Sequence, residues 1–311
     1  MLSRLPPAAA PEAPAVWWDL LAPSAAERQQ VESALGVALP SAAVMREIEA
    51  SSRLYQLDGA AVMTALVPRG TGEEDDDTTL TFVLAGQQLA TLRPADVGAV
   101  RILFERLARQ AAPLPAPAAI LVRLLEAIVD GLADRLEQVG ADLSHVSQRV
   151  FRRRRLQARA VPDYQAVLRQ LGRDGDQLSL VTESLFSIER LVTFAGRLDA
   201  IRAAETLGRR VKTLRRDVSS LSDHANLLNG KLTFLLDATL GMIGISQNNI
   251  IKGLSVAAAV FLPPTLIASI YGMNFEHMPL LGKPWGYPAA LGLMLATAIA
   301  PYWIFKRLRW F

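Results

Sequence analysis

The apolar residues change their spacing along this chain, and each change marks a different kind of structure. Residues 17–20 begin ordered structure. Residues 24–35 have helical spacing, with Ser24 as the expected N-cap and Glu27 three positions on, a capping-box pattern. A second short helix is expected over 41–51. Short apolar runs at 53–57, 61–67, 80–84 and 88–92 read as strands, with Gly59 and Gly86 where turns are needed. Residues 97–111 return to a helical period, and the Pro-rich stretch 113–117 then breaks the chain. From residue 118 the pattern is helical almost without interruption. Leu121, Leu124, Leu125, Ile128, Leu132, Leu136 and Val139 form one stripe at spacings of mostly three and four. A further helix is expected after Pro162, and another from near Asp199.

Two segments differ in kind. Residues 253–271 (GLSVAAAVFLPPTLIASIY) and 285–305 (WGYPAALGLMLATAIAPYWIF) contain no charged residue. Each has about the length a helix needs to cross a bilayer, and a buried core hairpin suits shorter runs better. Trp285, Tyr287, Tyr302 and Trp303 sit near the ends of the second segment, as interfacial aromatics do. Lys252 precedes the first segment, and Lys306, Arg307 and Arg309 follow the second. The intervening loop carries Lys283 against Glu276. The positive-inside rule therefore places both ends in the cytoplasm and the short loop outside.

The helix leading into the first segment carries a seam that repeats every seven residues: Gly241, Asn248, Ser255, Leu262 and Ser269. Its companion, three positions later, is Gly244, Ile251, Ala258 and Thr265, with Asp237 upstream. This is an a/d pattern in which small and polar residues replace most large aliphatics. Small residues let membrane helices approach closely. Packing alone does not require Asn248, Thr265 and Asp237 to share the seam, so a pore-lining face is the better reading. Two helices cannot enclose a water-filled path, so transport would need several chains around an axis. Pro263 and Pro264 lie inside the first segment and free backbone carbonyls there, which fits either water on that axis or a plain kink.

Composition narrows the chemistry. The sequence has 33 Lys and Arg against 30 Asp and Glu, interleaved along most of its length, so no basic stripe suggests nucleic acid. The absence of cysteine excludes disulfides, thiolate metal sites and cysteine nucleophiles. Three widely separated His make a His-based zinc site within one chain improbable. No catalytic constellation and no phosphate-binding glycine loop appears, so the chain does not read as an enzyme, and ATP is not the expected energy source. The Ala/Pro-rich N-terminus lacks the apolar core of a signal peptide and reads as a flexible tail, which keeps the polar portion in the cytoplasm. The acidic run 73–77 reads as a solvated hairpin loop, and the basic cluster 152–155 as a solvated helix end.

Between the two apolar segments stands Tyr271-Gly272-Met273-Asn274, followed by Phe275-Glu276-His277-Met278-Pro279. A Gly-Met-Asn tripeptide at the outer end of the first of two C-terminal spans, preceded by PPTLIASIY, resembles the signature of the CorA family of magnesium and cobalt transporters. The resemblance is close from about Asp237 onward and architectural before it. It implies an α+β homopentamer with an N-terminal cytoplasmic α/β domain, a long stalk helix and two C-terminal transmembrane helices. In this chain the parts would be a flexible tail over 1–15, the α/β domain over 16–117 and long helices including the stalk over 118–252. A first span over 253–271, a periplasmic loop over 272–284, a second span over 285–305 and a basic cytoplasmic tail over 306–311 complete the order.

By position, the resemblance makes Gly272, Met273, Asn274 and Glu276 a selectivity loop, with the Asn274 carbonyl contacting a hydrated ion. Thr265 and Asn248 would be polar rings, Leu262, Leu254 and Ile251 apolar constrictions, and Asp237 a carboxylate ring. The implied cargo is Mg²⁺, with Co²⁺ and Ni²⁺ as passengers, drawn inward by the membrane potential across a bacterial inner membrane. Mg²⁺ dehydrates reluctantly and prefers oxygen ligands, which suits amide, hydroxyl and carbonyl groups. No cofactor is implied, although Mg²⁺ is also expected to regulate the family from between neighbouring cytoplasmic domains. The usual stalk acid falls at Thr213, and Asp217 one turn on is the candidate replacement. The loop departs from close relatives at Leu280 and Leu281, where an acid is common, leaving Glu276 as its carboxylate with His277 beside it. The nearest rival is the proton-coupled zinc branch of the same superfamily. A membrane-anchored coiled-coil scaffold without transport is the rival from another class.

Overall fold

The computed structural model describes residues 1–6, 15–47, 49–69, 77–110, 113–151, 163–273 and 282–307. They form two compact units, Met1–Leu236 and Asp237–Phe311.

The first unit contains a six-stranded sheet in the order β1-β2-β6-β5-β4-β3. Its strands are β1 (Leu2–Leu5), β2 (Trp17–Leu21), β3 (Leu54–Leu57), β4 (Ala60–Pro68), β5 (Asp77–Ala85) and β6 (Gln88–Arg93). β2 and β6 run parallel, and the other neighbours are antiparallel. The tight turns at Gly59 and Gly86 both need positive φ, at 78° and 51°, which glycine adopts without the steric penalty of a side chain. Ser24 caps α1 (Ala25–Leu35), and the reciprocal bond from Glu27 completes the capping box.

Two expectations change. The tail over 1–15 is not wholly a tail. Leu2–Leu5 forms an edge strand beside β2, Leu5 is buried, and the Met1 ammonium donates to the Leu21 carbonyl at 2.7 Å. The Ala/Pro content further on obscured four residues whose partners lie far along the chain. The single helix over 41–51 is two pieces, α2 (Ala42–Arg46) and α3 (Ala50–Arg53), because Glu47 is extended. The Glu47 carbonyl instead accepts from Arg53. As the seam implied, the helix leading into the first apolar segment continues into it, as described below.

A buried polar network ties β2 to β6. Asp19 and Thr91 are register partners, and the Thr91 hydroxyl donates to Asp19 Oδ1 at 2.8 Å while accepting from Trp17 Nε1 at 3.0 Å. Arg93 grips Asp19 with two bonds, at 3.1 and 2.8 Å. A buried charge pair is tolerable only when its desolvation is offset by such bonds. Trp17 then packs edge-to-face on Phe104 of α4 (Gly98–Ala108), with ring centroids 5.0 Å apart.

Two long helices follow, α5 (Pro117–Phe151) and α6 (Tyr164–Ala195). All seven residues of the apolar stripe read from the sequence are buried on α5. Both helices pack on the sheet, and the Leu66 amide donates to Ser187 Oγ of α6 at 3.0 Å. After the short α7 (Asp199–Arg202) comes α8 (Glu205–Tyr271), 67 residues without a break. At 1.5 Å per residue it is about 100 Å long. Its N-terminal half buries Val211, Leu214, Val218, Ala225, Leu228 and Leu235, while Arg210 forms a fork on Glu126 of α5. The second unit comprises the rest of α8 and α9 (Gly286–Arg307).

Candidate functional site

In the apolar part of α8 the rest of the chain covers one face. Val256 is buried, and Val260, Pro263, Pro264, Ile267 and Tyr271 are half-buried. The end of this helix meets the start of α9 around a cavity of about 390 Å³, lined in part by Ala268, Tyr271, Gly286 and Ala290. The small Ala268, Gly286 and Ala290 allow the close approach.

The seam residues lie on the other face. At about 100° per residue, Asp237, Asn248, Ile251, Leu254, Leu262 and Thr265 fall roughly 120° to 240° round the helix from Val260. All six are exposed within the single chain. Leu254 is 71% exposed, Leu262 66% and Ile251 61%. Three large aliphatics open to the surroundings, on one face with an amide, a hydroxyl and a carboxylate, form a surface that the other described residues leave uncovered. The Thr265 hydroxyl donates to the Phe261 carbonyl at 2.7 Å, so its oxygen lone pairs are what it can offer to an ion's waters.

The two prolines belong to the covered face. The carbonyls they release are those of Ala259, beside the edge of the seam, and Val260, on the covered face. The helix continues through both prolines. Between the alternatives left open by the sequence, this favours a local adjustment of the helix over carbonyls lining an axis.

Gly272 ends α8 for a steric reason. Its amide donates to the Ala268 carbonyl at 2.9 Å, and a β-carbon there would stand 3.1 Å from that same oxygen. Any side chain would press on backbone at the helix end. Met273 follows, 49% exposed. Asn274, Glu276 and His277 lie outside the described residues, as do the acidic run at 73–76, the basic cluster 152–155 and the Ala/Pro stretch at 7–14. On the far side of the loop, the Lys283 ammonium sits 5.5 Å from the centre of the Trp285 ring. That is a cation–π distance. Trp285, Tyr287, Tyr302 and Trp303 are all exposed on or beside α9.

Asp217 is exposed on α8, between the buried positions Leu214 and Val218. Among the described residues no three His, Asp or Glu gather into a metal site. One residue escaped the sequence reading. Asp174 of α6 is 1% exposed, and the signal for it was an acid inside an otherwise aliphatic stripe.

The chain is similar to known proteins over nearly its whole length. The family described as CorA-like Mg²⁺ transporter protein matches residues 12–307. The magnesium transport protein CorA of Pasteurella multocida is 35% identical over 297 residues, covering 95% of this chain and 92% of that protein. The protein of the same name from Salmonella typhimurium is 34% identical over 300 residues, with the same two coverages. Among solved structures, the complete CorA magnesium transporter of Methanocaldococcus jannaschii aligns with a TM-score of 0.74 at 21% identity, covering 95% of this chain and 91% of that one. The ZntB cytoplasmic domain of Vibrio parahaemolyticus aligns with a TM-score of 0.54 at 12% identity, covering 73% of this chain and 87% of that domain.

Proposed function

The chain belongs to the CorA-like Mg²⁺ transporter family, and on that premise we propose that five copies surround an axis and pass Mg²⁺ across the cytoplasmic membrane of a bacterium. The observation that carries this reading is the exposed seam of α8. Two spans per chain cannot enclose a path, and the face pointing away from α9's side of the helix carries the oxygen-bearing residues. Rings of Asp237, Asn248 and Thr265 would meet the ion through its own waters, since Mg²⁺ gives up water reluctantly. Ile251, Leu254 and Leu262 would close the path by excluding water. The driving force is the membrane potential, about 4.6 kcal/mol for a dication per 100 mV. Co²⁺ and Ni²⁺, similar in size and hydration, are expected to share the path.

Magnesium is favoured over zinc by the relatives. The proteins at 33–35% identity over 95–96% of this chain carry the name magnesium transport protein, whereas the zinc-branch structure is similar in its cytoplasmic domain at 12% identity. The chemistry agrees, because the seam offers oxygen and neither thiolate nor clustered imidazole. A scaffold without transport would not need an amide, a hydroxyl and a carboxylate on one face of α8.

The cysteine-free sequence gives a clean test. In Ser255→Cys, oxidation is expected to link neighbouring chains, while Val260→Cys on the covered face stays unlinked. In intact cells Lys283→Cys is expected to react with a membrane-impermeant maleimide added outside, because the basic flanks place both termini in the cytoplasm. Equal linking at 255 and 260 would remove the seam from the axis. Protection of position 283 until the cells are opened would reverse the topology.

A further inference from the structure

The core face of α6 reads Val167, Leu171, Asp174, Leu178, Val181, Leu185 and Ile188, all buried. Six are aliphatic and one is an acid. Asp174 is 1% exposed. One of its oxygens accepts from Gln170 Nε2 at 2.8 Å, and Oδ2 has no hydrogen-bond partner. Leaving an ionised carboxylate oxygen dry and unpaired costs several kcal/mol, far more than a neutral carboxyl in the same place.

The neighbours make ionisation harder. Across the interface, α5 presents Asp142, a second carboxylate, which itself accepts from Gln138 Nε2 at 3.0 Å. From α8, Leu232 packs beside Gly175, and the cation at this level, Lys231, donates to Ser144 Oγ at 2.8 Å. On α6 itself, exposed Arg173 donates to Gln170 Oε1 at 2.8 Å and pulls the other way. Burial is the largest influence and Asp142 adds to it, so the Asp174 carboxyl stands above the ordinary carboxylate range despite the Gln170 bond and Arg173.

We propose that Asp174 is a proton-binding site where α5, α6 and α8 meet, holding its proton more tightly while those helices are packed than when they part. The position is distinct from the seam of α8 and from the loop that follows it. A polar residue at one core position of a helical interface is a known way to make packing conditional. Here the condition is pH. The packed state holds a proton that the open state releases, because the carboxyl's affinity is raised by packing. Between the ordinary carboxylate value and the raised one, the packed state binds more protons. Stability therefore falls as pH rises through that window and is flat above it.

The test is thermal unfolding of the purified full-length protein in detergent, from pH 4.5 to 8.5, beside infrared spectra of the same samples. Asp174→Asn keeps the shape and the Gln170 neighbourhood without the charge. It is expected to remove most of the downward slope and to raise the midpoint at the alkaline end by about 2–4 °C. It is also expected to delete a protonated-carboxyl band present in the parent protein. Asp142→Asn should move the parent's decline to lower pH without abolishing it. An unchanged slope in Asp174→Asn, or an unchanged infrared band, would overturn the proposal. So would a uniform loss of stability at every pH, which marks a purely structural carboxylate.

Discussion

Asn274→Ala is expected to abolish Mg²⁺ uptake while leaving the complex assembled. In the proposed arrangement the loop after α8 would form the outer mouth, and the Asn274 carboxamide would be the first protein group a hydrated ion meets. Its oxygen accepts from water protons and carries no charge. Neutral acceptors recognise the hydrated ion without trapping it, and conduction requires binding weak enough to release. Hydrogen bonds of this kind contribute about 1 kcal/mol each. Losing one from each chain of the proposed pentamer would therefore well exceed the 1.4 kcal/mol, roughly, of a tenfold change. Asn274→Asp keeps an oxygen and adds charge, so tighter binding and slower flux are expected. Thr265→Ala should do less, since its hydroxyl proton already serves the Phe261 carbonyl. Normal uptake by a well-assembled Asn274→Ala protein would take this side chain out of the mechanism.

Leu254→Ser should have the opposite effect and raise uptake several-fold. Leu254 is 71% exposed and Ile251, on the same face, 61%. If copies bring that face together, the two rings form a dry constriction whose barrier is the missing water. A hydroxyl in place of each leucine removes on the order of 2 kcal/mol of apolar character per chain and lets water enter. The alternative placement separates cleanly. If Leu254 faces lipid, serine there weakens insertion or assembly and yields no gain of flux. Dye-reported uptake, paired with the size of the purified complex, distinguishes the two outcomes.

Much of this architecture was legible because it rests on local periodicity. The α5 stripe, the Ser24–Glu27 capping box and the two uncharged segments each declare themselves within a window of a few turns. Features that depend on distant partners did not. β1 exists because Leu2–Leu5 finds β2 across the Ala/Pro stretch. The Asp19–Arg93 pair joins residues 74 positions apart. The run of α8 into the apolar segment was legible from the seam that crosses its start, while the N-terminal start of that helix at Glu205 was not. The seam was legible as a repeat, but only the structure shows that it faces away from the covered side. The same comparison puts Pro263 and Pro264 on the covered side. Asp174 was missed because one acid in a run of aliphatics reads as an interruption until its burial is known.

The central claim is that this chain conducts Mg²⁺ down the membrane potential. Its most direct test is uptake by the purified protein in liposomes loaded with a Mg²⁺ dye, under a potassium diffusion potential. Mg²⁺ should enter, faster as the interior is made more negative, and a pH gradient alone should drive nothing. Absence of Mg²⁺ flux from an assembled protein, or Zn²⁺ flux that requires a pH gradient, would contradict it.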